Sequence, residues 1–148
     1  MNVDEAFRRV GQTAALNDAD WTFMNTFASR GKLILYQGVS DYGLSAKGLA
    51  AWYDRLAKDT GGTTQEWARL FLVPGMSHCD GGPATDTFDP LTAIQDWVEH
   101  GKAQNRIVAT GAAFPGVSRR CVRGRKWPAI ATAIPRTRQV SNAAERGR

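Results

Sequence analysis

Two short runs of consecutive apolar residues constrain the fold of this chain more than any other feature of its sequence. The first, within residues 32–38, holds four apolar or aromatic positions between glycines, and the second, residues 68–73, is apolar except at Arg69. Apolar runs of this length are typical of strands that are buried on both faces of a parallel sheet. Between them, Ser45 is a candidate N-cap for a helix that extends through Lys58. The predicted inner face of this helix comprises Leu49, Trp52, Tyr53 and Leu56. The order strand, helix, strand predicts an α/β fold with a mostly parallel sheet.

Three further elements are predicted around this unit. Residues 17–20, three of which are polar, are typical of a helix cap, and the apolar spacing that follows predicts a helix over residues 21–31. Another helix is predicted over residues 91–100, where Gly101 ends it. Residues 106–110 have the pattern of a short edge strand. The predicted inner face of the helix before Gly101 comprises Ile94, Trp97 and Val98.

Charge is distributed unevenly along the 148 residues. Residues 1–118 carry a net charge of −3 and residues 119–148 one of +8. A basic tail is typical of nucleic-acid binding, which is the alternative interpretation of this chain. No aromatic platform accompanies the arginines, however, and we predict no nucleic-acid partner. No apolar stretch approaches the ~20 residues of a membrane helix, so we predict no membrane partner. We expect one domain over residues 1–118, followed by an irregular or disordered tail.

A carboxylate and an imidazole follow the two predicted strands. Asp41 lies three residues after the first strand, and His78 lies five residues after the second. The carboxyl ends of parallel strands meet at one edge of a sheet, where ligands bind, and neighbouring strands lie about 4.8 Å apart. An acid and then a histidine on successive strand ends match the last two members of the α/β-hydrolase triad. We expect Asp41 to accept a hydrogen bond from the His78 ring and to fix its tautomer.

Each of these residues also has a simpler interpretation. An aspartate after a strand commonly forms a turn or caps a helix, and a single histidine in a glycine-rich loop is commonly a surface residue. Cys79 would ordinarily be a small apolar residue, and adjacent side chains diverge, so it is poorly placed as a nucleophile activated by His78. With Cys121 as the second cysteine, the chain has neither a disulfide framework nor a zinc-binding pattern.

Several segments of the sequence resemble the tannase and feruloyl esterase family. They are residues 31–41, residues 69–79, the Gly-Gly-Pro at 81–83, the Phe-Asp at 88–89 and residues 96–99. The resemblance covers roughly residues 6–118. Members of this family are α/β-hydrolase serine esterases with a lid domain, and they act on esters of gallic, ferulic and related aromatic acids. The resemblance therefore implies a partial α/β-hydrolase fold and an aromatic-acid ester as the substrate of the full-length enzyme.

The resemblance also implies a role for each residue of the candidate site. Asp41 corresponds to the triad acid and His78 to the base. Cys79 corresponds to a family cysteine that forms a disulfide with a cysteine preceding the nucleophilic serine. Two positions depart from the family pattern: Gln37 stands where histidine is common, and Tyr42 stands where a smaller residue or proline is common.

The nucleophile of such an esterase has no counterpart in this sequence. The family's serine lies upstream in a Cys-Ser pair, and the chain contains neither that pair nor a Gly-x-Ser-x-Gly motif. We expect a C-terminal portion of an esterase that is inactive alone; the alternative is a fragment that complements a separately encoded N-terminal piece. No cofactor is expected, because the family's calcium site would lie in the lid. Members are commonly exported, but residues 1–9 contain no apolar signal region, which leaves the localisation open.

The basic tail lacks the family's usual ending, which contains a Pro-Leu-Cys segment and a closing Phe-x-Cys. The bases that encode residues 119–143 can also be read in another frame, beginning at the third base of the Arg119 codon. Allowed codons in that frame encode a peptide with both the Pro-Leu-Cys segment and the closing Phe-x-Cys. We therefore hypothesise a frameshift near Arg119, which would make Cys121 a product of the shifted frame. The nucleotide sequence of the gene tests this hypothesis.

Overall fold

A computed structural model describes residues 2–122, which form four helices and four strands. In chain order these are α1 (Val3–Asn17), α2 (Asn25–Ala28), β1 (Leu33–Gly38), α3 (Ala46–Asp59), β2 (Ala68–Val73), α4 (Pro90–His100), β3 (Arg106–Ala109) and β4 (Arg119–Val122), with a 3₁₀ turn at Thr63–Glu66 before β2. None of the helices within this described part has the length and apolarity required to span a bilayer.

The predicted strand–helix–strand unit is present. Strands β1 and β2 pair in parallel, in a register that runs from Leu33 opposite Ala68 to Gly38 opposite Val73. The expectation that both strands are buried is right for β2 and wrong for β1, where Tyr36 is 45% exposed. Among the described residues each of these two strands pairs only with the other, but β2 also packs against β4, so β2 is covered more fully than β1.

Strand β2 separates two apolar clusters. Its side chains alternate between the two faces of the sheet. Phe71 and Val73 belong to a cluster that also contains buried residues of α4, β3 and β4. Ala68 and Leu70 belong to a second cluster, together with Leu56 of α3. Complete burial of a side chain such as Phe71 or Leu56 stabilises a fold by roughly 1.5–3 kcal/mol. The strand that leads into the His78 loop is therefore held from both faces.

Helix α3 begins at its predicted cap. The Ser45 side chain accepts a hydrogen bond from the backbone N–H of Gly48, at 3.1 Å. On the inner face, the Tyr53 hydroxyl donates to the carbonyl oxygen of Ala68, at 2.9 Å. This bond fixes the helix to β2 in addition to the apolar contacts.

Helix α4 is also where the sequence predicts it, but the face that it buries differs from the predicted inner face. Asp89 caps its first turn, and Gly101 ends it with a positive φ of 68°. Ala93 and Trp97 are buried, whereas the predicted inner residue Val98 is exposed. The two buried residues are four positions apart and share one stripe of the helix, while Val98 lies about 100° around the axis from Trp97.

The N-terminal region differs from the prediction. Helix α1 was not expected, although Asn2 caps it, and the helix predicted over residues 21–31 is reduced to the four-residue α2. Trp21 and Phe23 are largely exposed, so they do not form an inner face. Between them, the hydroxyl of Thr22 donates to the carboxylate of Asp59 at the end of α3. This contact holds the segment against α3 in a non-helical conformation.

The C-terminal region is also corrected. Strand β3 pairs antiparallel with β4, so it does not extend the parallel sheet as an edge strand. The disorder that we expected from residue 119 onward is wrong for Arg119–Val122, which form β4. Cys121 is buried in the cluster around Phe71. Residues 123–148, the remainder of the predicted tail, lie outside the described residues.

Candidate active site

The acid and base loops leave the sheet side by side. After β1 the backbone N–H of Val39 still bonds to the carbonyl oxygen of Val73, the last residue of β2, at 3.0 Å. One residue further on, the N–H of Ser40 donates to the carbonyl oxygen of Met76, also at 3.0 Å. The parallel pairing is thus continued by loop-to-loop bonds, and Asp41 follows immediately.

The carboxylate of Asp41 accepts four hydrogen bonds. Its Oδ1 accepts from the backbone N–H groups of Gly43, at 2.8 Å, and Leu44, at 3.0 Å. Its Oδ2 accepts from Nε2 of Gln37, at 2.6 Å, and lies 2.8 Å from Nδ1 of His78. The Asp41 side chain is only 1% exposed. Both oxygens are therefore fixed, and one of them faces the imidazole.

These donors make Asp41 an unusually strong acid. The pKa of Asp41 is lowered to about 2, chiefly by the hydrogen bond from the backbone of Leu44. Desolvation opposes this effect, and the hydrogen bonds from His78, Gly43 and Gln37 add to it. The carboxylate is thus ionised throughout the neutral pH range and accepts hydrogen bonds without donating any.

His78 is half exposed although it contacts a buried acid. The exposed fraction of its side chain is 54%, and the contact is made by Nδ1. Because an ionised carboxylate can only accept, Nδ1 must carry the proton in the neutral ring, which leaves Nε2 as an acceptor. The structure thus brings Asp41 and His78 together in the geometry of an oriented general base. Their catalytic roles remain predictions.

Gly38 permits the close approach of the two loops. A Cβ at this position would lie 2.1 Å from the carbonyl oxygen of Ser77 and 2.3 Å from that of Met76. These distances are far below van der Waals contact, so a side chain here would force the base loop away from the acid loop. The sequence pattern does not reveal this role, because it depends on how two loops distant in sequence meet. Nor does it reveal the role of Gln37, which depends on the turn that brings Asp41 back to it four residues later.

Cys79, which follows the base, has a strained backbone. Its φ is 53°, and no other non-glycine residue in the described part has a positive φ. Cys79 is an exposed free thiol, and Cys121 is a buried free thiol whose pKa is raised by burial. The two do not bond to each other. The disulfide that the resemblance implies for Cys79 stays a prediction.

An open groove of about 620 Å³ adjoins the acid loop. Its lining includes Leu35 and Gln37 of β1, Leu44, and Trp52 of α3, but neither Asp41 nor His78. Within residues 2–122 no group of three or more His, Cys, Asp or Glu side chains could hold a metal ion.

Comparison with known proteins identifies the family of this chain. The family model described as tannase and feruloyl esterase matches residues 2–142. The chain belongs to this family. The match crosses residue 118, where we expected the resemblance to end and a shifted frame to begin, and so weighs against that boundary. The frameshift itself remains a hypothesis for the gene sequence to test.

Two curated relatives illustrate the similarity. The chain is 49% identical over 96 residues to a mono(2-hydroxyethyl) terephthalate hydrolase from Piscinibacter sakaiensis. This match covers 61% of this chain and 16% of the relative. It is 33% identical over 141 residues to an uncharacterized esterase from Xanthomonas campestris pv. campestris. This match covers 76% of this chain and 24% of the relative. The chain thus spans a quarter or less of the length of these proteins.

Solved structures show the same fold. A feruloyl esterase B from Aspergillus oryzae superposes with a TM-score of 0.69 at 20% identity, over 83% of this chain and 28% of that protein. An esterase from the same species gives a TM-score of 0.68 at 22% identity, over 83% of this chain and 29% of that protein. The fold of the described residues is that of one part of an esterase.

Proposed function

We propose that Asp41 and His78 are the acid and the base of a Ser-His-Asp triad in a carboxylic ester hydrolase. The observation that carries this proposal is the 2.8 Å contact between His78 Nδ1 and the buried Asp41 carboxylate, in a His78 side chain that is itself half exposed. In this proposal residues 1–118 are the C-terminal portion of an α/β-hydrolase domain. The parallel pair β1–β2 then represents the two strands that carry the acid and the base.

The proposed reaction uses a serine hydroxyl that this sequence does not supply. As the serine oxygen attacks the ester carbonyl carbon, its proton passes to Nε2 of His78, and Asp41 stabilises the imidazolium. The imidazolium then gives the proton to the departing alcohol oxygen, which leaves an acyl-enzyme. Water repeats the sequence and releases the acid. No cofactor takes part in these steps.

The substrate class is proposed from the relatives. One is named for the hydrolysis of mono(2-hydroxyethyl) terephthalate and others for feruloyl esters, so we propose an aromatic-acid ester. The serine would come from the remainder of the hydrolase domain, in the same polypeptide or as a separate N-terminal fragment. The chain with this sequence alone is then expected to be inactive.

A chimaera tests the proposal. Residues 2–122 would replace the corresponding C-terminal segment of the mono(2-hydroxyethyl) terephthalate hydrolase, and hydrolysis of that ester would be measured. We expect turnover that falls by about 10⁴-fold or more with His78→Ala. His100→Ala, on the exposed end of α4, is the matched control and is expected to retain full turnover. An active chimaera in which His78→Ala has no effect would overturn the proposal.

The isolated chain provides the complementary measurement. Hydrolysis of a chromogenic aryl ester by the purified 148-residue chain should not exceed the background of its His78→Ala variant. Turnover that is abolished by His78→Ala in the isolated chain would contradict the need for an external serine.

A further inference from the structure

We propose that Asp86 is a positioning residue that holds the loop carrying His78. This inference rests on the proposed role of His78 as the base. Oδ2 of Asp86 accepts a hydrogen bond from the backbone N–H of Gly81, at 2.7 Å. The carbonyl oxygen of Gly81 in turn accepts from the backbone N–H of Ser77, at 3.1 Å. A chain of two hydrogen bonds thus connects the Asp86 carboxylate to the residue that precedes the imidazole.

The base loop, residues 74–83, requires such an anchor because it is tightly folded. A Cβ on Gly75 would lie 2.3 Å from the carbonyl oxygen of Pro83, and a Cβ on Gly82 would lie 2.4 Å from that of Gly75. The two ends of the loop therefore touch. At its tip, Cys79 has a positive φ that is unfavourable for a residue with a side chain. Without a fixed contact, the loop could relieve this strain by moving His78.

Asp86 is itself held in place by the core. The preceding residues Ala84 and Thr85 are buried. The following residue, Thr87, exchanges two backbone hydrogen bonds with Thr110, at 2.8 and 2.9 Å. Gly111 packs against this segment so closely that a Cβ would lie 3.0 Å from Oδ1 of Asp86. The carboxylate therefore extends from a rigid segment that is separate from β1 and from the acid loop.

Two carboxylates then share the positioning of one histidine. Asp41 orients the ring through Nδ1, and Asp86 fixes the backbone that carries the ring. A displacement of about 1 Å at a catalytic group can reduce the rate by roughly 100-fold. Loss of the Asp86 contact should therefore affect the base although Asp86 touches neither the ring nor a substrate.

Three variants separate this role from a general effect on folding. Asp86→Ala removes the acceptor, whereas Asp86→Asn keeps an oxygen that can accept from Gly81. Asp80→Ala removes an exposed carboxylate from the same loop and is the matched control. In the chimaera we expect Asp86→Ala to lower kcat by about 10- to 100-fold with little change in KM. Asp86→Asn should stay within about threefold of the parent, and Asp80→Ala should match it.

Nuclear magnetic resonance of the 148-residue chain provides a readout that does not depend on turnover. With ¹⁵N-labelled histidine, Asp86→Ala should lower the population of the Nδ1–H tautomer of His78 and leave His100 unchanged. Asp86→Asn should retain the parent spectrum. An Asp86→Ala spectrum identical to that of the parent, or an Asp86→Asn variant as impaired as Asp86→Ala, would overturn the proposal.

Hydrogen exchange of the unmodified chain covers the case in which Asp86→Ala fails to fold. The amides of Gly81 and Ser77 should be protected, and that of Asp80, for which no backbone bond is seen, should exchange rapidly. Rapid exchange at Gly81 would contradict the anchor. These outcomes are independent of the triad, because an inactive chimaera would count against the proposed function and leave the exchange result intact.

Discussion

The chain contains two histidine–aspartate pairs, and their surroundings differ. His100 and Asp96 are four residues apart on α4, with 3.4 Å between Nδ1 and Oδ1 and an acid that is 37% exposed. His78 and Asp41 are 37 residues apart, with 2.8 Å between Nδ1 and Oδ2 and an acid that is 1% exposed. Both imidazoles are 54% exposed. The exposure of the histidine therefore does not distinguish the two pairs.

The difference lies in how each carboxylate is held. An i,i+4 pair needs only helical spacing, and such surface contacts stabilise by a few tenths of a kcal/mol. The Asp41 carboxylate instead accepts hydrogen bonds from two backbone N–H groups and from the side-chain amide of Gln37, in addition to its contact with the imidazole. Its position is determined by the fold, so the ring it contacts is oriented before any substrate arrives. The comparison teaches that the environment of the acid, more than the presence of a histidine, marks a candidate active site.

The largest expected effect comes from pushing the two loops apart. Gly38→Ala would place a Cβ 2.1 Å from a carbonyl oxygen of the base loop, and we expect it to destabilise the fold by about 3 kcal/mol. Gly48→Ala in α3 is the matched control, since its Cβ would make ordinary contacts at 3.4 Å, and we expect it to stabilise by up to about 1 kcal/mol. Urea unfolding monitored by circular dichroism measures both. Equal stabilities of the two variants would contradict the close approach of the loops.

The next largest effect is a pH dependence of folding stability that arises from the lowered pKa of Asp41. Its folded-state pKa of about 2 lies below the ordinary value of 3.8, so the folded chain binds this proton less readily than the unfolded chain. The resulting stabilisation is fully present above about pH 4 and is lost as the pH falls through about 2. The stability advantage of the parent over Asp41→Asn should therefore shrink over that range.

Urea unfolding of both proteins between pH 6 and pH 2 measures this advantage. Asp89, whose pKa is lowered by its hydrogen bonds to Thr92, contributes a similar dependence to both proteins and cancels in the difference. An advantage that does not change with pH would show that the Asp41 carboxylate is not held as described.

A smaller effect is expected from Gln37. Gln37→Leu removes one of the four donors to Asp41, and since this donor contributes least to the lowering, the pKa of Asp41 should rise only slightly. The ¹³C carboxyl resonance of Asp41 reports the titration directly. Gln95→Leu, which removes a glutamine that bonds to Glu99 on the surface of α4, is the control and should leave the titration unchanged. If the Asp41 titration is also unchanged in Gln37→Leu, the hydrogen bond from Gln37 does not contribute to the lowered pKa of Asp41.

The smallest effect is expected at the helical pair. Asp96→Asn should change the unfolding free energy by about 0.3 kcal/mol or less, because both side chains are substantially exposed. A loss comparable to that of Asp41→Asn at neutral pH would abolish the distinction between the two pairs.

The sequence was sufficient to predict the elements with strong local signals. The apolar run of β2, the Ser45 cap of α3 and the Gly101 end of α4 each stand within one residue of the predicted place. The same signals predicted that Asp41 and His78 follow neighbouring parallel strands. The topology places them at the same edge of the sheet, which is why their juxtaposition was accessible from the sequence, although the closeness of the two loops also depends on Gly38.

The features that depend on tertiary contacts were not accessible. The partner of β3 is Arg119–Val122, a segment with no apolar alternation, and only its pairing with β3 makes it a strand. Trp21 and Met24 have the helical spacing of the prediction, but Trp21 is largely exposed, and only the four-residue α2 forms in this segment. Gly38 meets a loop that is distant in sequence. Gln37 and Asp86 bond to residues four and five positions away, through loop conformations that no local pattern identifies.

The tautomer of the two histidines tests the central claim most directly. In the ¹⁵N spectrum of the chain with both imidazole rings uncharged, His78 should be predominantly the Nδ1–H tautomer, with Nε2 free to accept a proton. His100 should show a weaker preference, and Asp41→Asn should shift His78 alone. A His78 ring with the same tautomer mixture as His100, unchanged by Asp41→Asn, would contradict the account, because Asp41 would then not orient the base.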